Sequence, residues 1–155
     1  MVEGPSYSTA GVSPTALSAS ASTTATSQTC PSLGVGDLNH DGYGDVVVGD
    51  PSFGSVGRVL VYLGSATGLP IVQSASIPAP LVGRTFGATI AALGDVNGDT
   101  HPDLAVTAPN LTTNDSNLYV YYGNGTTFAV SPSVTVTGVT GELLWSVAGA
   151  GGADI

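Results

Sequence analysis

The chain has 155 residues, with two Arg, no Lys, eleven acidic residues and a net charge of −9. Binding to nucleic-acid phosphates or an anionic membrane surface requires clustered Lys and Arg, so neither is an expected partner. The 22 Gly and 10 Pro, abundant Ser, Thr and Val, and lack of a long 3.6-period segment point to strands and turns.

In chain order, residues 1–31 open with a piece, Gly11-Val-Ser-Pro-Thr, that matches Gly68-Leu-Pro-Ile-Val, followed by a Ser/Thr/Ala tract. They are expected to be the tail of a preceding repeat plus a connection. No signal-peptide pattern opens the sequence, and no apolar run is long enough to span a bilayer. Cys30 is alone, so an internal disulfide is excluded.

A short strand is expected over 32–35. It leads into Gly36-Asp-Leu-Asn-His-Asp-Gly-Tyr-Gly-Asp45, then an apolar strand Asp45–Pro51, a second over Arg58–Gly64 and a weaker one around Gln73–Ile77. The series then repeats. A strand over 88–93 leads into Gly94-Asp-Val-Asn-Gly-Asp-Thr-His-Pro-Asp103, then Asp103–Pro109, Asn117–Gly123 and Val134–Val136. The two acidic loops start 58 residues apart. Four short strands in a unit of this size imply an all-β chain of β-propeller blades, four-stranded antiparallel sheets. Near-continuous apolar runs such as Val46-Val47-Val48 suit strands covered on both faces, whereas a β-sandwich would alternate more cleanly. The expected division is a first full blade over 32–87, a second over 88–140 and the start of a third over 141–155, with Asp154 as the first acidic residue of a third loop. Two blades cannot close a propeller, which takes about four to eight. The open sheet edges therefore predict self-association or marginal stability.

Six of the eleven acidic residues lie in the two loops. Oxygen-bearing side chains at positions 1, 3, 5 and 9, with a backbone carbonyl at 7, make a candidate site for Ca²⁺, which takes about six to eight oxygens. The candidate ligands are Asp37, Asn39, Asp41, Tyr43 (carbonyl) and Asp45 in the first loop. In the second they are Asp95, Asn97, Asp99, His101 (carbonyl) and Asp103. Hard oxygen donors argue against zinc or copper. Position 12 is Val48 or Val106 and the flanks are strands, so neither loop is an EF-hand. Gly42 at position 6 suits a left-handed turn, whereas Thr100 there does not, so the second loop is expected to bind more weakly. The competing reading is that these Asp and Asn residues only make Asx turns. Two copies at matching positions favour the cation.

Other chemistry is poorly supported. His40 and His101 lack a further His or Cys in register, and no Gly-x-Ser-x-Gly elbow is present. Asn110, Asn114 and Asn124 head N-glycosylation acceptor patterns, relevant to a eukaryotic secretory route.

Phe86-Gly87, followed by Gly94-Asp-Val-Asn-Gly-Asp99 and Asp103-Leu-Ala-Val-Thr-Ala-Pro109, resembles the FG-GAP repeat of integrin α-subunit propellers. The first unit departs from it, with Gln28-Thr29 at the Phe-Gly position and Gly49-Asp-Pro51 at the Gly-Ala-Pro position. The resemblance implies a propeller with Ca²⁺ between the first and second strands of some blades, and extracellular or cell-surface binding or adhesion rather than catalysis. It leaves the partner, a protein or glycan, unnamed. The alternatives are an accessory propeller of a secreted hydrolase or lyase, or a sugar-binding propeller. The Lys-free, Ala/Gly/Thr-rich style is that of a bacterial surface or secreted repeat protein.

Overall fold

In the computed structural model, residues 33–144 and 146–149 are described. The expected preceding tail, Cys30, Trp145 and Asp154 lie outside them. Eight strands form two four-stranded antiparallel sheets in sequential order. The first holds β1 (Leu33–Gly36), β2 (Asp45–Asp50), β3 (Arg58–Tyr62) and β4 (Ala75–Pro78). The second holds β5 (Ile90–Gly94), β6 (Asp103–Asn110), β7 (Asp115–Tyr121) and β8 (Val134–Thr137). Sequential up-and-down sheets repeated along the chain are propeller blades, here two in succession. The first strands of the two sheets, β1 and β5, lie beside each other. No helix among the described residues is long and apolar enough to cross a membrane.

Side chains alternate across a strand, so each sheet has two faces. Here the front face of the first sheet carries Val46, Val48, Leu60 and Tyr62, and its rear face Val47, Val59, Val61 and Ile77. The rear-face residues are buried and the front-face residues half-buried. In the second sheet the pattern inverts. Tyr119 and Tyr121, at the positions of Leu60 and Tyr62, are buried, whereas Leu118 and Val120, at the positions of Val59 and Val61, are half-buried. One buried cluster contains the rear face of the first sheet together with Phe86, Leu104, Tyr119 and Tyr121 of the second unit. The blades thus stack rear to front. The expectation of strands covered on both faces holds for β6, buried from Asp103 to Pro109, but not for β2, which alternates buried and half-buried.

The junction between the blades is built by Phe86-Gly87. The Phe86 N–H donates to the Val56 carbonyl at 2.9 Å, and Phe86 bridges Gly57 in parallel register. Gly57 has φ +83°, and a Cβ there would run into the Phe86 carbonyl. Gly87 has φ +85°, and a Cβ there would lie 2.7 Å from the Arg58 carbonyl oxygen and 3.3 Å from Gly49 Cα. The Phe-Gly pair of one unit therefore docks on the second and third strands of the unit before it. Arg84 strengthens the approach through a 2.6 Å contact with Asp115. Arg58, cross-strand from Asp50, pairs with it at 2.9 Å and stacks over the Phe53 ring at 3.6 Å. Both arginines of the chain are thus engaged in ion pairs.

Behind Phe86, the rings of Tyr119 and Tyr121 meet it edge-on at 5.8 and 6.1 Å. Asn117 donates from its side-chain amide to the Tyr119 hydroxyl at 3.0 Å. Among the described residues, the buried Tyr121 hydroxyl has no hydrogen-bond partner. Its burial, with Tyr119 beside it, raises the phenol well above its ordinary value. A buried unsatisfied hydroxyl is a net cost, so Tyr121→Phe is expected to leave stability unchanged or raise it by up to about 1 kcal/mol. A loss of more than about 1 kcal/mol in thermal denaturation would show that the hydroxyl has a partner.

Candidate functional site

Each acidic loop joins the first strand of its sheet to the second. The two fold nearly alike, because their position-1 aspartates gather the following backbone amides. Asp37 accepts hydrogen bonds from the N–H groups of Asp41 at 3.1 Å and Gly42 at 3.0 Å. Asp95 accepts them from Gly98 at 2.7 Å, Asp99 at 3.1 Å and Thr100 at 2.7 Å. The Thr100 amide, aided by those of Gly98, Asp99 and Asn97, holds the Asp95 carboxyl below its ordinary value, against an opposing effect of desolvation.

Positions 3 and 5 also pair in both loops. The Asn39 amide donates to Asp41 Oδ2 at 2.9 Å, and Asn97 to Asp99 Oδ2 at 2.8 Å. Their Oδ1 atoms accept from the N–H groups of Asp41 and Asp99. Asp41 and Asp99 in turn accept from the N–H groups of Tyr43 and His101, the position-7 residues. These are Asx turns in sequence. Side chains at positions 1, 3 and 5 are half-buried or exposed.

Position 9 behaves differently. Asp45 and Asp103 are buried, at 1% and 0% exposure. Asp45 Oδ2 accepts from the Leu38 N–H and Oδ1 from the Gly64 N–H, both at 2.7 Å. Asp103 accepts from Val96 at 2.8 Å and Gly123 at 2.9 Å. Each carboxylate thus clamps the start of its loop to a glycine just past the end of the third strand. Gly64 and Gly123 permit this because a Cβ at either would strike the carbonyl of Gly44 or Pro102. Sequence reasoning placed Asp45 and Asp103 among the oxygen donors but missed this bracket. Its trace in the sequence is the matched Asp and Gly of Asp45/Gly64 and Asp103/Gly123.

The backbone strain is shared differently from what the sequence suggests. Position 6 is left-handed in both loops, with φ +86° at Gly42 and +73° at Thr100. Position 4 is left-handed as well, with φ +58° at His40 and +80° at Gly98. Each loop therefore carries one glycine and one strained residue. Thr is β-branched and tolerates this region less than His does, so the second loop keeps the larger penalty. A register shift between Ala92 and Gly94 also distorts its entry.

The two loops lie at the same end of the blades, bringing the His40 and His101 rings to 5.7 Å between centroids. No local pattern along the chain marks this pairing, which depends on blade stacking. Among the described residues, no three His, Cys, Asp or Glu side chains are gathered closely enough to hold a metal ion. The donor set nevertheless fits a hard cation in kind: every side-chain candidate presents oxygen, and ionised carboxylate oxygens keep lone pairs beyond those used in the turns.

The FG-GAP repeat family model matches residues 31–62 and 86–121. Phosphatidylinositol-glycan-specific phospholipase D of Mus musculus is 36% identical over 116 residues, covering 65% of this chain and 14% of that protein. Integrin alpha-7 of Homo sapiens is 36% identical over 115 residues, 69% of this chain and 9% of the integrin. Integrin alpha pat-2 of Caenorhabditis briggsae is 39% identical over 111 residues, 68% of this chain and 8% of that protein. The chain thus spans only 8% to 14% of the length of these relatives. All three are animal proteins and lend no support to a bacterial source.

Proposed function

Because this chain belongs to the FG-GAP repeat proteins, with the integrin-alpha-like propeller repeat, we propose that it is a Ca²⁺-stabilised binding or adhesion module. The observation that carries this reading is the duplicated loop: two copies place Asp, Asn, Asp and Asp at the same four positions, each over the same run of Asx turns. The cation would be held by Asp37, Asn39, Asp41, the Tyr43 carbonyl and Asp45, and by Asp95, Asn97, Asp99, the His101 carbonyl and Asp103. Binding would compete with the Asn39–Asp41 and Asn97–Asp99 side-chain hydrogen bonds. Its role would be structural, fastening the first strand of each blade to the second. An affinity of about 10⁻⁴ to 10⁻³ M, as in extracellular modules, would fill the loops outside the cell and leave them empty in the cytosol. The module would therefore work outside the cell or at its surface, toward a protein or glycan, without a catalytic centre of its own.

Melting with millimolar Ca²⁺ and with chelator tests the reading; a higher Tm with Ca²⁺ is expected, and equal values would overturn it. Isothermal calorimetry on single-loop variants tests the asymmetry. Asp95→Ala/Asp99→Ala, which keeps the first loop, should bind Ca²⁺ more tightly than Asp37→Ala/Asp41→Ala. Equal affinities would remove the role of Thr100.

The match to a phospholipase D favours a second reading, a non-catalytic propeller attached to a secreted hydrolase. A catalytic domain encoded beside these repeats in the same gene would support it, and a gene of repeats alone would exclude it.

A further inference from the structure

We propose that His40 and His101 form a bis-imidazole site for a borderline divalent cation such as Zn²⁺, bridging the two blades at their acidic end. Along the chain neither histidine has a second His or Cys in register, but blade stacking makes each the other's partner. Their rings lie 5.7 Å apart between centroids, tilted by 57°. Two imidazole nitrogens at about 2.0–2.1 Å from one tetrahedral Zn²⁺ hold their ring centroids about 5 Å apart. The observed spacing is close to this, and the His40 side chain is exposed, so a small turn of its ring closes the difference. His101 is held in place. Its ring lies against Gly125, where a Cβ would stand 2.8 Å from Cε1 and 3.2 Å from Nδ1. Among the described residues its Nδ1 is buried without a hydrogen-bond partner, so Nε2 is the nitrogen left to meet a cation. The His40 backbone, at φ +58°, is fixed within the turn that Asp37 and Asn39 close on the Asp41 amide.

The surroundings favour the same ligand. Six of the eleven acidic residues lie in the two loops, and both arginines are paired elsewhere, with Asp50 and Asp115. The field at this end therefore draws cations. Imidazole nitrogen selects Zn²⁺, Ni²⁺ or Cu²⁺, whereas Ca²⁺ takes oxygen. The imidazole pair and the oxygen loops thus suit different classes of cation, and the pair does not depend on the loops being filled. Among the described residues no third His, Cys, Asp or Glu joins the pair, so water completes the shell. Phe86-Gly87 ties the blades beside the turn between β2 and β3, at the opposite end of the strands. A cation held by both histidines adds a second fastening at the loop end.

Isothermal calorimetry of the full chain with Zn²⁺, in millimolar Ca²⁺ so that any oxygen site is occupied, tests the proposal. The wild-type chain should take up Zn²⁺. Asn is at home in the left-handed region, so His40→Asn keeps the turn, and His101→Gln keeps much of the side chain's bulk. Each variant should weaken binding by about 10²-fold, the lower end of the gain from joining two binding groups. Undiminished binding in either variant would assign the signal to Cys30 or the loop carboxylates and overturn the proposal, as would a wild-type chain that takes up no Zn²⁺. If circular dichroism shows that a variant fails to fold, NMR of the unaltered chain replaces it. The imidazole resonances of both histidines should then move together as Zn²⁺ is added; movement of one alone, or of neither, would overturn the proposal. Neither result touches the calcium reading, whose melting test is separate.

Discussion

Phe86→Ala is expected to destabilise the chain by about 3–5 kcal/mol, the range for emptying a buried aromatic site. Phe86 is fully buried, and its ring lies against Tyr119 and Tyr121 while its backbone bonds to the preceding blade. Truncation leaves a cavity at the place where the two sheets meet. Phe86→Leu keeps most of the volume and should cost less than about 1.5 kcal/mol. The junction should fail from the other side as well. Gly57→Ala places a methyl group against the Phe86 carbonyl and puts a side chain at φ +83°. The left-handed backbone alone costs about 1–2 kcal/mol, before the bridge is disturbed. Urea unfolding of the variants measures both effects. A loss below about 1 kcal/mol for Phe86→Ala would show that the blades hold together without it.

The second large effect lies at the bracket. Asp45→Ala leaves the buried N–H groups of Leu38 and Gly64 without an acceptor. Each stranded donor costs about 1–3 kcal/mol, so the pair amounts to about 2–6 kcal/mol. Asn is not expected to rescue, because one of its two polar ends is a donor facing a donor. Asp103→Ala should act in the same direction through Val96 and Gly123, with a smaller loss because water can reach the part-buried Val96 amide. Melting in chelator separates this role from cation binding. A Tm loss that persists without Ca²⁺ is the expected result. An Asp45→Ala chain that melts like wild type in chelator, and differs only when Ca²⁺ is added, would reduce the residue to a metal ligand.

Much of the fold is legible in local patterns. The duplicated acidic loops set the period, and the paired strands Arg58–Tyr62 and Asp115–Tyr121 follow from their shared apolar spacing. The four-stranded antiparallel sheets appear as that period implies. The oxygen chemistry of the loops is also a local property, carried by Asp and Asn within a few residues of one another. The strain at His40 was less legible, since position 4 shows no glycine in the first loop to mark a left-handed turn.

The repeat, the strand succession and the kinds of atom in the loops can all be read along the chain, because each depends on near neighbours in it. Which face of each sheet is covered emerges only on packing, since Val59 and Leu118 read alike until a second blade lies over one of them. Packing also turns Asp45 and Asp103 into clamps, through amides on Gly64 and Gly123 that lie far along the chain. Burial and long-range hydrogen bonding are properties of what packs against a residue, and the order of residues does not specify that locally.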